Sequence, residues 1–294
     1  MRIAFIGCVE FSAAALTMLL DHPQAQVVGV VTRSQSNLNA DFRDLSPLAE
    51  RAGCPVFLSD GRDQDQMAAW LRERKPEVVY CLGWSKLLSA DVLAVAPKGV
   101  VGYHPAALPY NRGRHPIIWA LALGLEQTAS TFFLMDESAD SGDILSQQAV
   151  AIAAEDDAGS LYHKLIDTAL PQLRQLTTAL ANGNAERIPQ DPSQANYWRK
   201  RCAADGRIDW RMSAQGIHNL VRALARPYPG AHCDYAGREV KLWRVRPVAT
   251  AAVNLEPGKV LQVNDGRLLV KCGAAAVEVI EHEFDPLPRE GSYL

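Results

Sequence analysis

An imidazole and a carboxylate, His104 and Asp140, are the groups in this 294-residue chain whose type and setting point most directly to chemistry. His104 ends the apolar run Gly99-Val100-Val101-Gly102-Tyr103. It opens the loop His104-Pro105-Ala106-Ala107-Leu108-Pro109-Tyr110-Asn111-Arg112-Gly113-Arg114-His115-Pro116. Asp140 lies in Met135-Asp136-Glu137-Ser138-Ala139-Asp140-Ser141-Gly142-Asp143, after a second strand-like run. A ring nitrogen at one strand end and a carboxylate at another suit proton handling around an acyl group. Pro105 restricts His104 to an extended backbone, which helps fix its direction. Read by itself, His104 is equally a core or turn histidine. Asp140 by itself is a turn former, with Asp136 and Asp143 as rivals.

Holding two such groups in place needs rigid elements. Apolar strand-like runs at Arg2–Gly7, Val27–Thr32, Pro55–Phe57, Val78–Leu82, Val100–Tyr103 and Ser130–Leu134 alternate with helical patterns. The helices are expected at Ser12–Leu20, Leu45–Ala52, Gln64–Arg74, Ala90–Ala96 and Pro116–Leu123. This alternation predicts an α/β, Rossmann-like domain with a parallel sheet, because strands covered on both faces read as unbroken apolar runs. Ligands in such sheets sit beyond the carboxyl ends of the strands. Gly7, Gly83, His104 and the Asp136–Asp140 loop should then line one edge. Gly7-Cys8-Val9-Glu10-Phe11 is not a Gly-x-Gly-x-x-Gly fingerprint, which disfavours a nicotinamide cofactor.

A long helix is expected over Asp157–Leu180, with Leu161, Leu165, Ala169, Leu173 and Leu176 on one face and Gly183 ending it. Residues 189–205 are polar, carry Pro189 and Pro192, and read as a linker. The linker would join a domain over residues 1–188 to a second one over 206–294. In the second, a helix over Ser213–Ala225 precedes short strand candidates at Glu239–Val245, Gly258–Val263, Leu268–Cys272 and Ala276–Ile280. That series suggests a small antiparallel barrel.

Hydrophobic residues make up 48% and charged residues 21%, as in an ordinary soluble globular protein. The formal net charge of -3 argues against a general polyanion binder, so nucleic acid is not an expected partner. The six cysteines contain no Cys-x-x-Cys pair, so no metal is expected, and several lie in apolar runs that suit a reducing compartment. The opening Met1–Gly7 reads as a strand rather than a signal peptide, and no run has membrane-spanning length. A cytoplasmic protein without membrane contact is expected.

Three separated motifs carry a resemblance: the His104–Pro116 loop, Asp140-Ser141-Gly142, and Gly206-Arg207-Ile208-Asp209-Trp210 with Asn219-Leu220-Val221-Arg222-Ala223 and Pro227-Tyr228-Pro229-Gly230-Ala231. Together they resemble the 10-formyltetrahydrofolate-dependent formyltransferases. That family includes methionyl-tRNA formyltransferase and the sugar N-formyltransferases. The likeness is nearest to the formyltransferase domain acting on UDP-4-amino-4-deoxy-arabinose. The resemblance implies a formyltransferase domain followed by an OB-like barrel, with 10-formyltetrahydrofolate as donor and a homodimer as one possible assembly. The family site is an Asn-x-His pair plus an Asp in an Asp-x-Gly turn. His104 and Asp140 match, whereas the asparagine position falls on Gly102. The resemblance also implies a folate pocket at Trp84, Ser85, Leu87 and Leu88, with contacts from Met135, Asp136 and Asp140. Phe11, Arg112 and Arg114 would contact the acceptor.

Formyl transfer needs a neutral amine to attack a formyl carbon, and the nitrogen then loses a proton. His104 is suited to donate to the developing oxyanion or to take that proton, with Asp140 orienting the ring. A missing oxyanion donor typically costs about 100- to 1000-fold in rate. Tyr103 points to the other strand face, so Asn111 or a water is the expected substitute for the asparagine absent at 102. The stretch Thr32–Asp41, a basic insertion in relatives acting on tRNA, carries little positive charge. An amino sugar carried on a nucleotide, or a related amino-sugar intermediate of surface-glycan synthesis, is therefore the favoured acceptor. Transfer to initiator tRNA, a folate- or sugar-binding homologue without activity, and hydrolysis of the donor are the alternatives.

Overall fold

A computed structural model describes residues 1–35, 40–250 and 254–294. Ser36–Asn39, the middle of the weakly charged Thr32–Asp41 stretch, lie outside the described residues. The chain folds into two compact units, one of residues 1–116, 128–150 and 164–198, the other of 117–127, 151–163 and 199–294.

The strands of the first unit are β1 (Arg2–Ile6), β2 (Gln26–Thr32), β3 (Val56–Leu58), β4 (Val78–Cys81), β5 (Val100–His104), β6 (Arg112–Gly113), β7 (Gln127–Leu134), β8 (Ile144–Ala151) and β9 (Tyr197–Trp198). Its helices are α1 (Glu10–Leu20), α2 (Ser46–Arg51), α3 (Gln64–Glu73) and α4 (Ala90–Leu93); α5 (Pro116–Ala122) belongs to the second unit from residue 117 on, and the long α6 (Ala158–Asn182) belongs to the first from residue 164 on. Seven strands form one sheet in the order β3-β2-β1-β4-β5-β7-β8, and β6 pairs with β9. Every residue of β4, and all of β1 except Arg2, is buried. Such continuous apolar runs belong to strands covered on both faces.

The pairings from β3 through β5 are parallel, as the alternating pattern requires. β7, however, runs antiparallel to β5, with Val101 opposite Leu134 and His104 opposite Thr131. The sheet is therefore mixed rather than wholly parallel. An apolar run records burial but not direction, so the sequence pattern could not reveal this reversal. Leu161, Leu165, Ala169, Leu173 and Leu176 of α6 are all buried, as their spacing predicts. The helix is anchored to β4 by a hydrogen bond between the Thr177 and Tyr80 hydroxyls at 2.9 Å. Gly183 ends it at φ +73°.

The second unit contains α7 (Ala214–Ala223) and the strands β10 (Ala231–Tyr235), β11 (Arg238–Val248), β12 (Val260–Asn264), β13 (Arg267–Lys271) and β14 (Ala276–His282). These strands form an antiparallel sheet in the order β10-β11-β14-β13-β12. Its pairings leave β10 and β12 as edges, so the expected barrel appears here as a five-stranded open order. Ser213 caps α7 by accepting from the Gly216 N–H at 3.0 Å. Arg222, within the Asn219–Ala223 motif, donates to the carbonyls of Ala153, Ala154 and Asp156. That motif thus ties backbone together inside the second unit. No helix among the described residues is long and apolar enough to cross a membrane.

Candidate active site

β5 ends in His104, whose ring is almost fully buried, with 5% of the residue exposed. Its Nδ1 lies 3.5 Å from the Asp140 carboxylate. Its Nε2 is 2.8 Å from the carbonyl oxygen of Asn111. Both ring nitrogens therefore face oxygen acceptors. Of the three competing aspartates, Asp140 is the one brought to the imidazole. Asp136 instead accepts from the Ser138 N–H at 2.9 Å and the Ser141 hydroxyl at 2.7 Å, closing its own loop.

The route by which Asp140 arrives differs from the shared-edge argument. Because β7 is antiparallel, its carboxyl end lies beside Val101, away from the end of β5 that carries His104. The loop between β7 and β8 returns Asp140 to the histidine. Asp140 sits at φ +57°, a left-handed backbone. Its carboxylate accepts from the Gly113 N–H at 2.8 Å, which joins this loop to the one following His104.

Gly102 leaves no hydrated gap. A Cβ there would lie 2.8 Å from Met135 Cγ and 2.9 Å from Phe133 Cζ, so apolar side chains already fill the place. This removes the water version of the substitute donor, since a bridging water needs polar partners. Asn111 does reach His104, but through its backbone carbonyl. Its side-chain oxygen accepts from Asn196 Nδ2 at 3.2 Å. Tyr103 occupies the opposite strand face, against Phe11 at a centroid distance of 4.5 Å and Phe132 at 5.0 Å. Burial pushes the Tyr103 phenol and the Cys81 thiol well above their ordinary ranges, so neither exchanges a proton near neutral pH.

The other residues singled out by sequence divide in two. Phe11 is buried, with its ring against that of Tyr103. Arg112 is also buried, and its guanidinium donates to Gln190 Oε1 at 2.7 and 3.1 Å and to the Tyr197 hydroxyl at 3.0 Å. Arg114 is exposed and donates to the Ser85 carbonyl at 2.8 Å, which links the His104 loop to the Trp84–Leu88 segment. In that segment Leu88 is core, Leu87 is exposed, and Trp84 is half-buried. Met135 packs against Leu108, Phe133 and Ile144.

Sequence reading overlooked Arg33, Gln190 and Asn196. Arg33 counts as a surface charge in a loop, yet it is buried with its guanidinium 4.6 Å from the centre of the Trp84 ring. Arg33 Nε and Trp84 Nε1 are buried atoms without a hydrogen-bond partner among the described residues. Unmet donors beside an aromatic ring suit a planar heterocycle that carries acceptors. Gln190 and Asn196 fall in the polar stretch read as a linker, where no apolar periodicity marks them. Among the described residues no cluster of three or more His, Cys, Asp or Glu side chains is arranged to hold a metal ion.

Residues 1–175 match the family model described as formyl transferase, and residues 202–287 match the formyl transferase C-terminal domain. Among solved structures, the chain is similar to an N-formyltransferase from Helicobacter canadensis in complex with folinic acid and dTDP-3-aminofucose. The TM-score is 0.73 and the identity 14%, over 96% of this chain and 99% of that one. WlaRD, a sugar 3N-formyl transferase solved with dTDP and 5-N-formyl-THF, gives 0.72 at 15% identity, over 95% and 96% of the two chains. HypX from Aquifex aeolicus gives 0.65 at 18% identity over 95% of this chain, which spans 45% of the length of HypX.

Proposed function

The chain belongs to the formyl transferase family, and we propose that its His104–Asp140 pair carries formyl transfer to the amine of a nucleotide-linked amino sugar. The observation that carries this reading is the placement of one imidazole between the Asp140 carboxylate and the Asn111 carbonyl. 10-Formyltetrahydrofolate, when bound, supplies the formyl group and leaves as tetrahydrofolate. Trp84, backed by Arg33, and the exposed Leu87 are the side chains suited to a pterin, with unmet donors at Trp84 Nε1 and Arg33 Nε. The folate and nucleotide-sugar ligands of the Helicobacter canadensis enzyme and the dTDP and folate of WlaRD support this choice.

The attacking nitrogen forms a bond to the formyl carbon, the bond from that carbon to N10 of the donor breaks, and the proton shed by the amine ends on N10 of the departing tetrahydrofolate. With its Nε2 proton donated to the Asn111 carbonyl, the neutral His104 ring takes that proton at Nδ1, and as a cation it offsets the charge developing on the formyl oxygen. Asp140, 3.5 Å from Nδ1, stabilises the ring when it is cationic. The Gly113 N–H holds the carboxylate in place. With Gly102 overlaid by Met135 and Phe133, no amide donor comes from that position, so His104 bears more of the charge stabilisation than an Asn-x-His pair would require.

His104→Ala and Asp140→Asn should each lower the single-turnover rate of acceptor formylation by about 100-fold or more, while in His104→Ala the donor dissociation constant changes by no more than about threefold. A His104→Ala protein that formylates at the wild-type rate would remove the pair from the chemistry.

A further inference from the structure

Two side chains from the stretch read as a linker hold the two halves of the His104–Asp140 pair. Gln190 uses both ends of its carboxamide. Oε1 accepts from Arg112 Nε and Nη2 at 3.1 and 2.7 Å, and Nε2 donates to the carbonyls of Asp140 and Gly142 at 2.9 and 2.7 Å. Arg112 is itself nearly inaccessible, at 3% exposure, so Gln190 is anchored to a fixed group. Asp140 has a left-handed backbone, which a non-glycine residue keeps when its surroundings hold it. Gln190 fixes its carbonyl, and the Gly113 N–H fixes its carboxylate.

Asn196 acts on the other half. Its Oδ1 accepts from the Asn111 N–H at 2.8 Å, and its Nδ2 donates to Asn111 Oδ1 at 3.2 Å. Asn111 is likewise left-handed, at φ +63°. In this conformation its carbonyl meets His104 Nε2 at 2.8 Å. The Asn196 carbonyl accepts from the Arg112 N–H at 3.1 Å, which closes the circuit between the two halves.

We propose that Gln190 and Asn196 are positioning residues: Gln190 sets the Asp140 carboxylate, and Asn196 sets the Asn111 carbonyl that directs the His104 ring. The proposal rests on the formyl-transfer reading. Neither residue touches the reacting atoms.

Two Gln190 variants separate positioning from packing. Gln190→Glu keeps acceptors for Arg112 in a charge-assisted pair but has no donor for the two carbonyls. Gln190→Met keeps the volume and loses both functions. Gln190→Glu, which keeps the Arg112 pair, should melt nearer the wild-type temperature than Gln190→Met, which keeps neither set of bonds. Both should lose about tenfold to 100-fold in kcat, with KM for donor and acceptor within about threefold of wild type. A second arm reads His104 directly, by NMR of ligand-free protein labelled with 15N-histidine. The Nε2 proton should be protected in the wild type, and Asn196→Ala should shift it and speed its exchange. Asn196→Asp should preserve it, because the acceptor for the Asn111 N–H remains and the Asn111 amide can turn to donate. The resonance is read without substrate, so it decides the positioning even where formyl transfer itself is not seen. Wild-type kcat in Gln190→Glu, activity that follows melting temperature across the Gln190 pair, or an unmoved His104 resonance in Asn196→Ala would overturn the proposal.

Discussion

Gly102 is the residue on which this site departs from the Asn-x-His pattern, and the departure is built into its surroundings. Met135 and Phe133 overlie the place a side chain would take, at 2.8 and 2.9 Å from an added Cβ. Both belong to well-packed regions, Phe133 at 2% exposure and Met135 against Leu108, Phe133 and Ile144. Restoring the asparagine is therefore expected to harm the protein rather than improve it. Gly102→Asn should cost about 1–3 kcal/mol of stability through overpacking, read by denaturant titration, with no gain in kcat. A variant as stable as wild type and faster in turnover would show that the overlying side chains move aside freely.

The loop between β7 and β8 is the element on which the site depends most. Gly142 lets it close: a Cβ there would lie 1.9 Å from the Leu134 carbonyl oxygen. That partner is backbone and cannot rotate away. Gly142→Ala should cost about 2–4 kcal/mol and lower kcat, because the turn carrying Asp140 must shift. Thermal melting and turnover measured on the same sample check both effects. Much of the central sheet was legible in the sequence, because β1, β2, β4 and β5 are apolar runs and α6 repeats its leucines at helical spacing. The direction of β7 was not legible, since burial leaves the same mark on parallel and antiparallel strands. β8 escaped notice because Ser146, Gln147 and Gln148 interrupt its apolar ends; β10 did so because Ala231–Tyr235 carries no β-branched residue. His104 and Asp140 stood out as an imidazole and a carboxylate in distinctive loops. Gln190 and Asn196 did not, because a side chain that hydrogen-bonds to distant backbone leaves no periodic trace.

The molecule as a whole argues about the acceptor. A net charge of -3 gives little long-range attraction for a nucleic acid, whose affinity depends on phosphate contacts and falls steeply with salt. A nucleotide-linked sugar needs only a few contacts close to the His104–Asp140 pair. The most direct measurement is tetrahydrofolate release from 10-formyltetrahydrofolate, followed with a panel of nucleotide-linked amino sugars, with initiator methionyl-tRNA, and with no amine. Release in step with a nucleotide-linked amino sugar, absent without an amine and absent with the tRNA, is the predicted result. Release that needs no amine, or that occurs with the tRNA alone, would contradict it.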